Sequence, residues 1–288
     1  MTLREALRTA EDRLTEAGVD SPGLSARLLA GRALDLNSVR VLTESRRELS
    51  AGEIATFDAL VARRASGEPV AYILGEREFY GLSFRVGPGV LIPRPETELI
   101  VDEVRRCFEE SEPLRFMDLG TGSGALAVAL AHIFPRSAGL AVDRSDEALE
   151  IACDNARRLG VAERVRFLRA DFTEPLPETG LDLIVANPPY VTWAEYEELS
   201  REVADFEPRS ALVSGAAMGD GLDHLRGLAP HAAAALRPGG SLFVEIGWLQ
   251  GLAGADVLRD RSLGLGDVRV LQDLAGRDRI LAARKRSS

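Results

Sequence analysis

Asp118-Leu119-Gly120-Thr121-Gly122-Ser123-Gly124 decides the fold of this chain. The stretch closes a predicted strand near 115–119 and opens a predicted helix near 124–134. Glycines at every second position let the backbone turn sharply and come close to a ligand. The helix N-terminus that follows favours a carboxylate or phosphate. The spacing is G-x-G-x-G, not the G-x-G-x-x-G of dinucleotide sites.

Around this loop the chain alternates. Strands are predicted near 115–119, 139–143, 164–169, 181–186, 241–246, 267–272 and 279–284, and helices near 124–134, 146–159, 194–204, 222–236 and 249–260. Alternating strand and helix imply an α/β fold, a mostly parallel sheet covered on both faces. Only Asp273 to Asp278 separate the last two strands. That connection is too short for a parallel crossover, so the final strand is expected to run antiparallel.

In open α/β sheets ligands bind beyond the carboxyl ends of the strands. The second strand ends in Asp143, an acid placed to accept both hydroxyls of a ribose. The third ends in Ala170-Asp171-Phe172, where an acid and an aromatic suit an adenine amino group and its ring face. The fourth, Leu181 to Ala186, runs into Asn187-Pro188-Pro189-Tyr190. Each proline fixes its own φ near -65°, lacks an N–H and pushes the preceding residue out of the helical region. The corner is stiff and holds the Asn187 side chain beyond the strand end. The Asn187 side-chain oxygen and the Pro188 carbonyl each accept one hydrogen bond, and Tyr190 is placed to lie against a conjugated plane. Such a corner fixes a planar amine or amide with its nitrogen exposed. With ribose, base and acceptor served at one sheet edge, the chain resembles the class I methyltransferases, which use S-adenosylmethionine and release S-adenosyl-L-homocysteine.

Composition narrows the partners. The apolar fraction of 45% and charged fraction of 28% are those of a soluble globular protein. A formal net charge of -10 is a poor basis for gripping phosphates, which needs a basic face. Cys107 and Cys153 lie in helical patterns, and neither they nor His132, His224 and His231 stand at metal-ligand spacing, so no metal is expected. The N-terminus shows no apolar signal core, and the longest apolar run, Ala125 to Ala131, falls far short of a membrane span. The chain reads as cytoplasmic, with no membrane contact.

Ahead of the sheet, residues 1–70 read as a helical bundle. Thr2 with Glu5, and Ser50 with Glu53, are capping boxes. Leu3, Leu7, Ala10, Leu14 and Ala17 form an apolar stripe ended by Gly18, and a helix opening at Ser21-Pro22 is expected to face inward with Leu24, Leu28 and Leu29. Residues 71–92 read as a β-hairpin linker around Gly81, and 93–288 as the catalytic domain. Pro95 is expected to start a helix that reaches about Glu110, with Ile92 to Glu98 shaping the mouth of the site.

Taken with Asp118 to Gly124 and Asn187 to Tyr190, the helical N-terminal region, Ile92-Pro93-Arg94-Pro95-Glu96-Thr97-Glu98 and Glu245-Ile246-Gly247-Trp248-Leu249-Gln250-Gly251 closely resemble the bacterial release-factor glutamine methyltransferases, the PrmC/HemK family. The resemblance covers nearly the whole chain. It implies transfer of a methyl group to the glutamine of the Gly-Gly-Gln loop of peptide chain release factors, with the helical domain docking the release factor. It puts Gly120, Thr121, Gly122, Ser123, Gly124, Asp143, Asp171, Phe172 and Asn187 on the cofactor. It puts Asn187, Pro188, Pro189 and Tyr190 around the glutamine, with Asn187, Pro188 and Tyr190 catalytic. Phe172 stands where relatives often carry Trp. No Cys, His or Lys reads as a nucleophile or strong base, so the expected chemistry is positioning. An adenine amino-group methyltransferase acting on DNA or RNA would use the same corner; a third reading, a cofactor-binding module that has lost catalysis and regulates translation by docking, is opposed by the intact Asn187 and glycine loop.

Overall fold

The computed structural model describes residues 1–287. The chain divides into two compact units, Met1–Glu76 with Ser200–Phe206, and Arg77–Leu199 with Glu207–Ser288. The seven residues 200–206 fall in the helical unit, although their sequence reads with the sheet.

The first unit begins with α1 (Leu3–Glu16), α2 (Pro22–Leu34), α3 (Ser38–Thr43), α4 (Ala51–Ala65) and α5 (Val70–Leu74). Both capping boxes form, at Thr2/Glu5 and Ser50/Glu53. Leu3, Leu14, Leu29, Phe57 and Val61 make the core. Two side-chain expectations fail. Leu24 and Leu28 are 51% and 37% exposed, and α2 instead buries Ser25, Ala26, Leu29, Ala30 and Leu34. With leucines on both sides of α2, the face that packs against α1 and α4 is the one whose small side chains permit close approach. Ala17 caps α1 in solvent, and Ala6 takes its place in the stripe.

A hairpin follows, β1 (Glu76–Phe79) and β2 (Leu82–Arg85). Its turn residues, Tyr80 and Gly81, both have positive φ, at 51° and 77°, as a two-residue hairpin turn requires. Pro95–Thr97 is a 3₁₀ turn leading into α6 (Glu98–Cys107). That helix stops at Cys107, short of the expected Glu110. The acidic run Glu109-Glu110-Ser111-Glu112 would oppose the negative end of the helix dipole.

The sheet consists of β3 (Leu114–Leu119), β4 (Ser137–Asp143), β5 (Val165–Arg169), β6 (Leu181–Ala186), β7 (Leu236–Glu245), β8 (Leu265–Gln272) and β9 (Asp278–Lys285), in the order β5-β4-β3-β6-β7-β9-β8. β9 pairs antiparallel with both β7 and β8, as the short connection before it demands. The other pairings are parallel. Helices α7 (Ala125–Ile133) and α8 (Asp146–Arg158) follow β3 and β4. The helix expected at 194–204 is broken into α9 (Trp193–Glu197) and α10 (Arg201–Ala204), because Ser200 turns extended between them. α11 (Asp223–Ala235) and α12 (Gly251–Leu258) complete the layers. β7 begins at Leu236, earlier than expected, and a register shift opposite Leu181 and Leu183 absorbs Pro238-Gly239-Gly240. Among the described residues no helix is long and apolar enough to cross a membrane.

Alternation splits the core. Phe116, Leu183, Val185 and Phe243 face the layer containing α6 and α7, while Met117, Leu119, Ile184 and Val244 face that of α11 and α12. Gly139 pairs with Phe116 in register, and a Cβ there would fall inside the fully buried Phe116 ring. Gly139→Ala is therefore expected to destabilise the second unit by about 1–3 kcal/mol, an overpacking cost. A parental urea midpoint for the variant would show that the ring has room to move.

Candidate active site

The order of the sheet reverses beside β3: β4 and β5 lie on one side and β6 on the other. The loops after β3 and β6 therefore emerge side by side, at the switch point where open α/β sheets take ligands. A cavity of about 430 Å³ lies there, lined by Asp118, Gly120 to Ser123, Asp143, Asp171, Phe172 and Asn187 among others.

Gly120, Gly122 and Gly124 all have left-handed φ, at 74°, 55° and 83°. The N–H groups of Gly120 and Thr121 donate to the Val142 carbonyl at 2.9 Å each, and that of Gly122 donates to Asp143 Oδ2 at 2.9 Å. Asn155 of α8 is fully buried. Its Nδ2 donates to the carbonyls of Ser123 and Arg85 at 2.9 Å each, and its Oδ1 accepts from the Arg85 N–H at 2.7 Å. One amide thus ties the glycine loop to the hairpin.

Asp118 lies beneath the loop. Its Oδ2 accepts from Thr121 Oγ1 at 2.6 Å and from the Ala127 N–H at 3.1 Å. Its Oδ1 is buried without a partner although the residue lines the cavity. Burial pushes its pKa up to about 7. An unpartnered buried carboxylate oxygen suits a cationic group, so the residues present fit the ammonium end of S-adenosylmethionine.

Other residues lining the cavity fit its nucleoside. Asp143 holds Gly122 through Oδ2 and the Ser145 N–H through Oδ1, at 2.9 Å. A carboxylate has about four acceptor sites, so it keeps capacity for hydroxyls. Phe172 covers Gly120, where a Cβ would meet the ring at 3.2 Å. Asp171 Oδ1 accepts from the hydroxyl and N–H of Thr173, and these bonds hold its pKa below the usual carboxylate range. His224, for which the sequence suggested no role, lines the same cavity edge-on to Phe172, with Nδ1 2.9 Å from Ser214 Oγ. Burial lowers its pKa.

The corner after β6 is held from behind. Asn187 Nδ2 donates to Thr97 Oγ1 at 3.0 Å, and Thr97 Oγ1 donates to Glu245 Oε2 at 2.6 Å. The Tyr190 hydroxyl donates to Glu245 Oε1 at 3.0 Å. Gln250 Nε2 donates to the Tyr190 carbonyl at 2.9 Å. Glu245 is 1% exposed, and burial raises its pKa to about 7. Burial and the Glu245 charge raise that of Tyr190 well above its ordinary value. Asn187 and Pro189 line the cavity, whereas Pro188 and Tyr190 are not among its lining residues, and the Tyr190 hydroxyl serves as a strut behind the corner. Glu207 is buried and accepts from the Ile92 N–H at 3.0 Å and from the Arg94 guanidinium at 2.5 Å, fixing the wall made by Leu91, Pro93 and Arg94. Thr97 and Glu245 stand in motifs visible in the sequence, but their meeting across 148 positions is not a sequence signal. Among the described residues no cluster of His, Cys, Asp and Glu could hold a metal ion.

Family profiles match the chain twice: the PrmC N-terminal domain over residues 5–75 and the methyltransferase small domain over 97–204. The chain is 47% identical over 285 residues to the release factor glutamine methyltransferase of Nitratidesulfovibrio vulgaris, covering 99% of this chain and 95% of that one. It is 45% identical to the protein of the same name from Moorella thermoacetica, covering 99% of both. A methyltransferase from Pyrococcus furiosus superposes with a TM-score of 0.52 at 18% identity, over 78% of this chain and 98% of that one, a likeness of fold.

Asp118 carries a pH signature. The folded chain holds its proton up to about 7, whereas the unfolded chain loses it near 3.8. Stability from this group is complete below the unfolded value and is lost as pH rises through the folded one. Between these values the parent is expected to lose stability relative to Asp118→Asn by roughly 1.4 kcal/mol per pH unit. Urea unfolding of both proteins across this window checks it; parallel pH dependences would refute it.

Proposed function

Because the chain belongs to the release factor glutamine methyltransferase family, we propose that it methylates the side-chain amide nitrogen of the Gly-Gly-Gln glutamine of peptide chain release factors, with S-adenosylmethionine as donor and S-adenosyl-L-homocysteine as product. The observation that carries this reading is Asn187, whose –NH₂ is committed to Thr97 so that Oδ1 is left as an acceptor beside the glycine-loop cavity. When bound, S-adenosylmethionine supplies a methyl carbon made electrophilic by its sulfonium. Asp118 Oδ1 and the loop Gly120 to Gly124 hold its amino-acid end, Asp143 its ribose hydroxyls, and Asp171 and Phe172 its adenine.

An amide nitrogen is a weak nucleophile, so the chain's contribution is alignment. Asn187 Oδ1 and the Pro188 carbonyl accept the two N–H donors of the glutamine and fix its plane. Positioning of this kind supplies roughly 7–11 kcal/mol in favourable systems. The same two dipoles favour positive charge growing on the nitrogen. The proton then leaves to solvent. Tyr190 acts through its bond to Glu245, which stiffens the corner. A release factor as partner makes this a cytoplasmic enzyme of translation termination, and the net charge of -10 argues against direct nucleic-acid binding.

The helical unit is proposed to dock the release factor. Leu24 with Leu28 on α2, and Val39 with Leu42 on α3, are exposed pairs at helical spacing, and clustered exposed apolar side chains mark interaction sites. Leu24→Ser with Leu28→Ser is expected to raise KM for the release factor about tenfold while leaving the urea midpoint unchanged. An unaltered KM would place docking elsewhere.

The direct test is mass spectrometry of a release factor after incubation with enzyme and S-adenosylmethionine, with a Gly-Gly-Ala release factor as blank. Equal methylation of the blank would refute the substrate. Asn187→Ala is expected to lower turnover by ~10²–10³ while calorimetry shows little change in cofactor affinity. Turnover close to the parent's would rule out the amide clamp.

A further inference from the structure

The two ends of the Asn187 amide are nearly equal in size, so packing alone leaves open which end faces the cavity. Hydrogen-bond direction decides it. An ionised carboxylate only accepts, and a hydroxyl has one proton to give. Thr97 gives its proton to Glu245 Oε2 at 2.6 Å, so it offers Asn187 only lone pairs. The Asn187 –NH₂ turns to Thr97 at 3.0 Å, and Oδ1 must point the other way. Tyr190 gives its proton to the other oxygen, Glu245 Oε1, at 3.0 Å.

From this chain of donors we infer that Thr97 and Glu245 are positioning residues that lock the polarity of Asn187, holding the acceptor end of its amide toward a substrate that brings only N–H donors. The inference rests on the glutamine-methylating reading and deepens it. With the amide reversed, donor would face donor and the substrate nitrogen would lose one of its two guides.

The lock has a built-in release. A proton on Glu245 Oε2 would be donated to Thr97, Thr97 would donate onward, and Asn187 would have to present Oδ1 to Thr97. The groups around Glu245 put this change near neutrality. Burial is the main cause of the upward shift to about 7, Glu96 adds to it, and the hydrogen bonds from Thr97 and Tyr190 and the charge of Arg279 oppose it. Activity is therefore present with Glu245 ionised and lost as pH falls through this range.

The experiment measures kcat and kcat/KM for the release factor in the full-length enzyme across about pH 5.5–8.5. S-adenosylmethionine is kept saturating, so that Asp118 stays engaged. The parent is expected to show an acid limb near neutrality, and Glu245→Gln, which cannot ionise, a lower rate without that limb. Thr97→Ser is expected to stay within about threefold of the parent. Thr97→Val is expected to lose at least about tenfold in kcat, with affinity for S-adenosyl-L-homocysteine unchanged by calorimetry. A parental kcat for Thr97→Val, or survival of the acid limb in Glu245→Gln, overturns the lock. If Thr97→Val does not fold, the Glu245→Gln profile decides alone. Methylation of the Gly-Gly-Gln glutamine by the parent tests the substrate reading separately, because every variant is scored relative to the parent.

Discussion

Parallel pairing of β3 with β6 is the constraint from which the site follows. Leu119 lies opposite Ala186 in register, and each is the last residue of its strand. The glycine loop and the Asn-Pro-Pro-Tyr corner thus leave the sheet from neighbouring points and in the same direction. A parallel sheet buried on both faces tolerates no slip of register, since one residue would exchange the two apolar sets. The distance between cofactor loop and acceptor corner is accordingly a property of the core, set by Met117, Leu119, Ile184 and Ala186.

Precision at the two loops comes from buried polar groups placed behind them. Asn155 holds the glycine loop, Glu207 the Ile92–Arg94 wall, and Glu245 with Gln250 the corner. Each satisfies backbone or hydroxyl groups that would otherwise be buried unpaired, a loss of about 1–3 kcal/mol apiece. Two carboxyls, Asp118 and Glu245, stand apart because burial brings both to titrate near neutrality. Asp118 lies beneath the glycine loop and Glu245 behind the Asn187 corner, so the two stand on different parts of the site.

Much of this was legible in the sequence, and the limits are physical. Strand positions, the antiparallel last strand and the grouping of Asp143, Asp171, Phe172 and Asn187 around one cavity followed from short apolar runs ending in turn chemistry. Local pattern did not reveal which face of α2 is buried, because it carries leucines on both sides. Nor did it reveal the break at Ser200, which sits in a helix-compatible stretch. Tyr190 read as a surface facing the substrate, yet its hydroxyl finds Glu245, and that partner stands 55 positions away. The glycine loop and the corner announce themselves in a few residues each; the groups that brace them, Asn155 of α8, Thr97 just before α6 and Glu245 of β7, stand far off in the chain, and no spacing rule links them.

The helical unit is discontinuous along the chain. Arg64 is 4% exposed, and its guanidinium donates to Glu202 Oε2 at 2.5 Å and to the Glu68 carbonyl at 2.9 Å. Its charge partner is thus synthesised 138 residues later. A chain ending before Ser200 lacks this carboxylate and leaves the Arg64 guanidinium without its ion-pair partner. Burying such a charge alone is costly. The amino-terminal unit is thus completed by residues 200–206, and no single continuous stretch of sequence contains it.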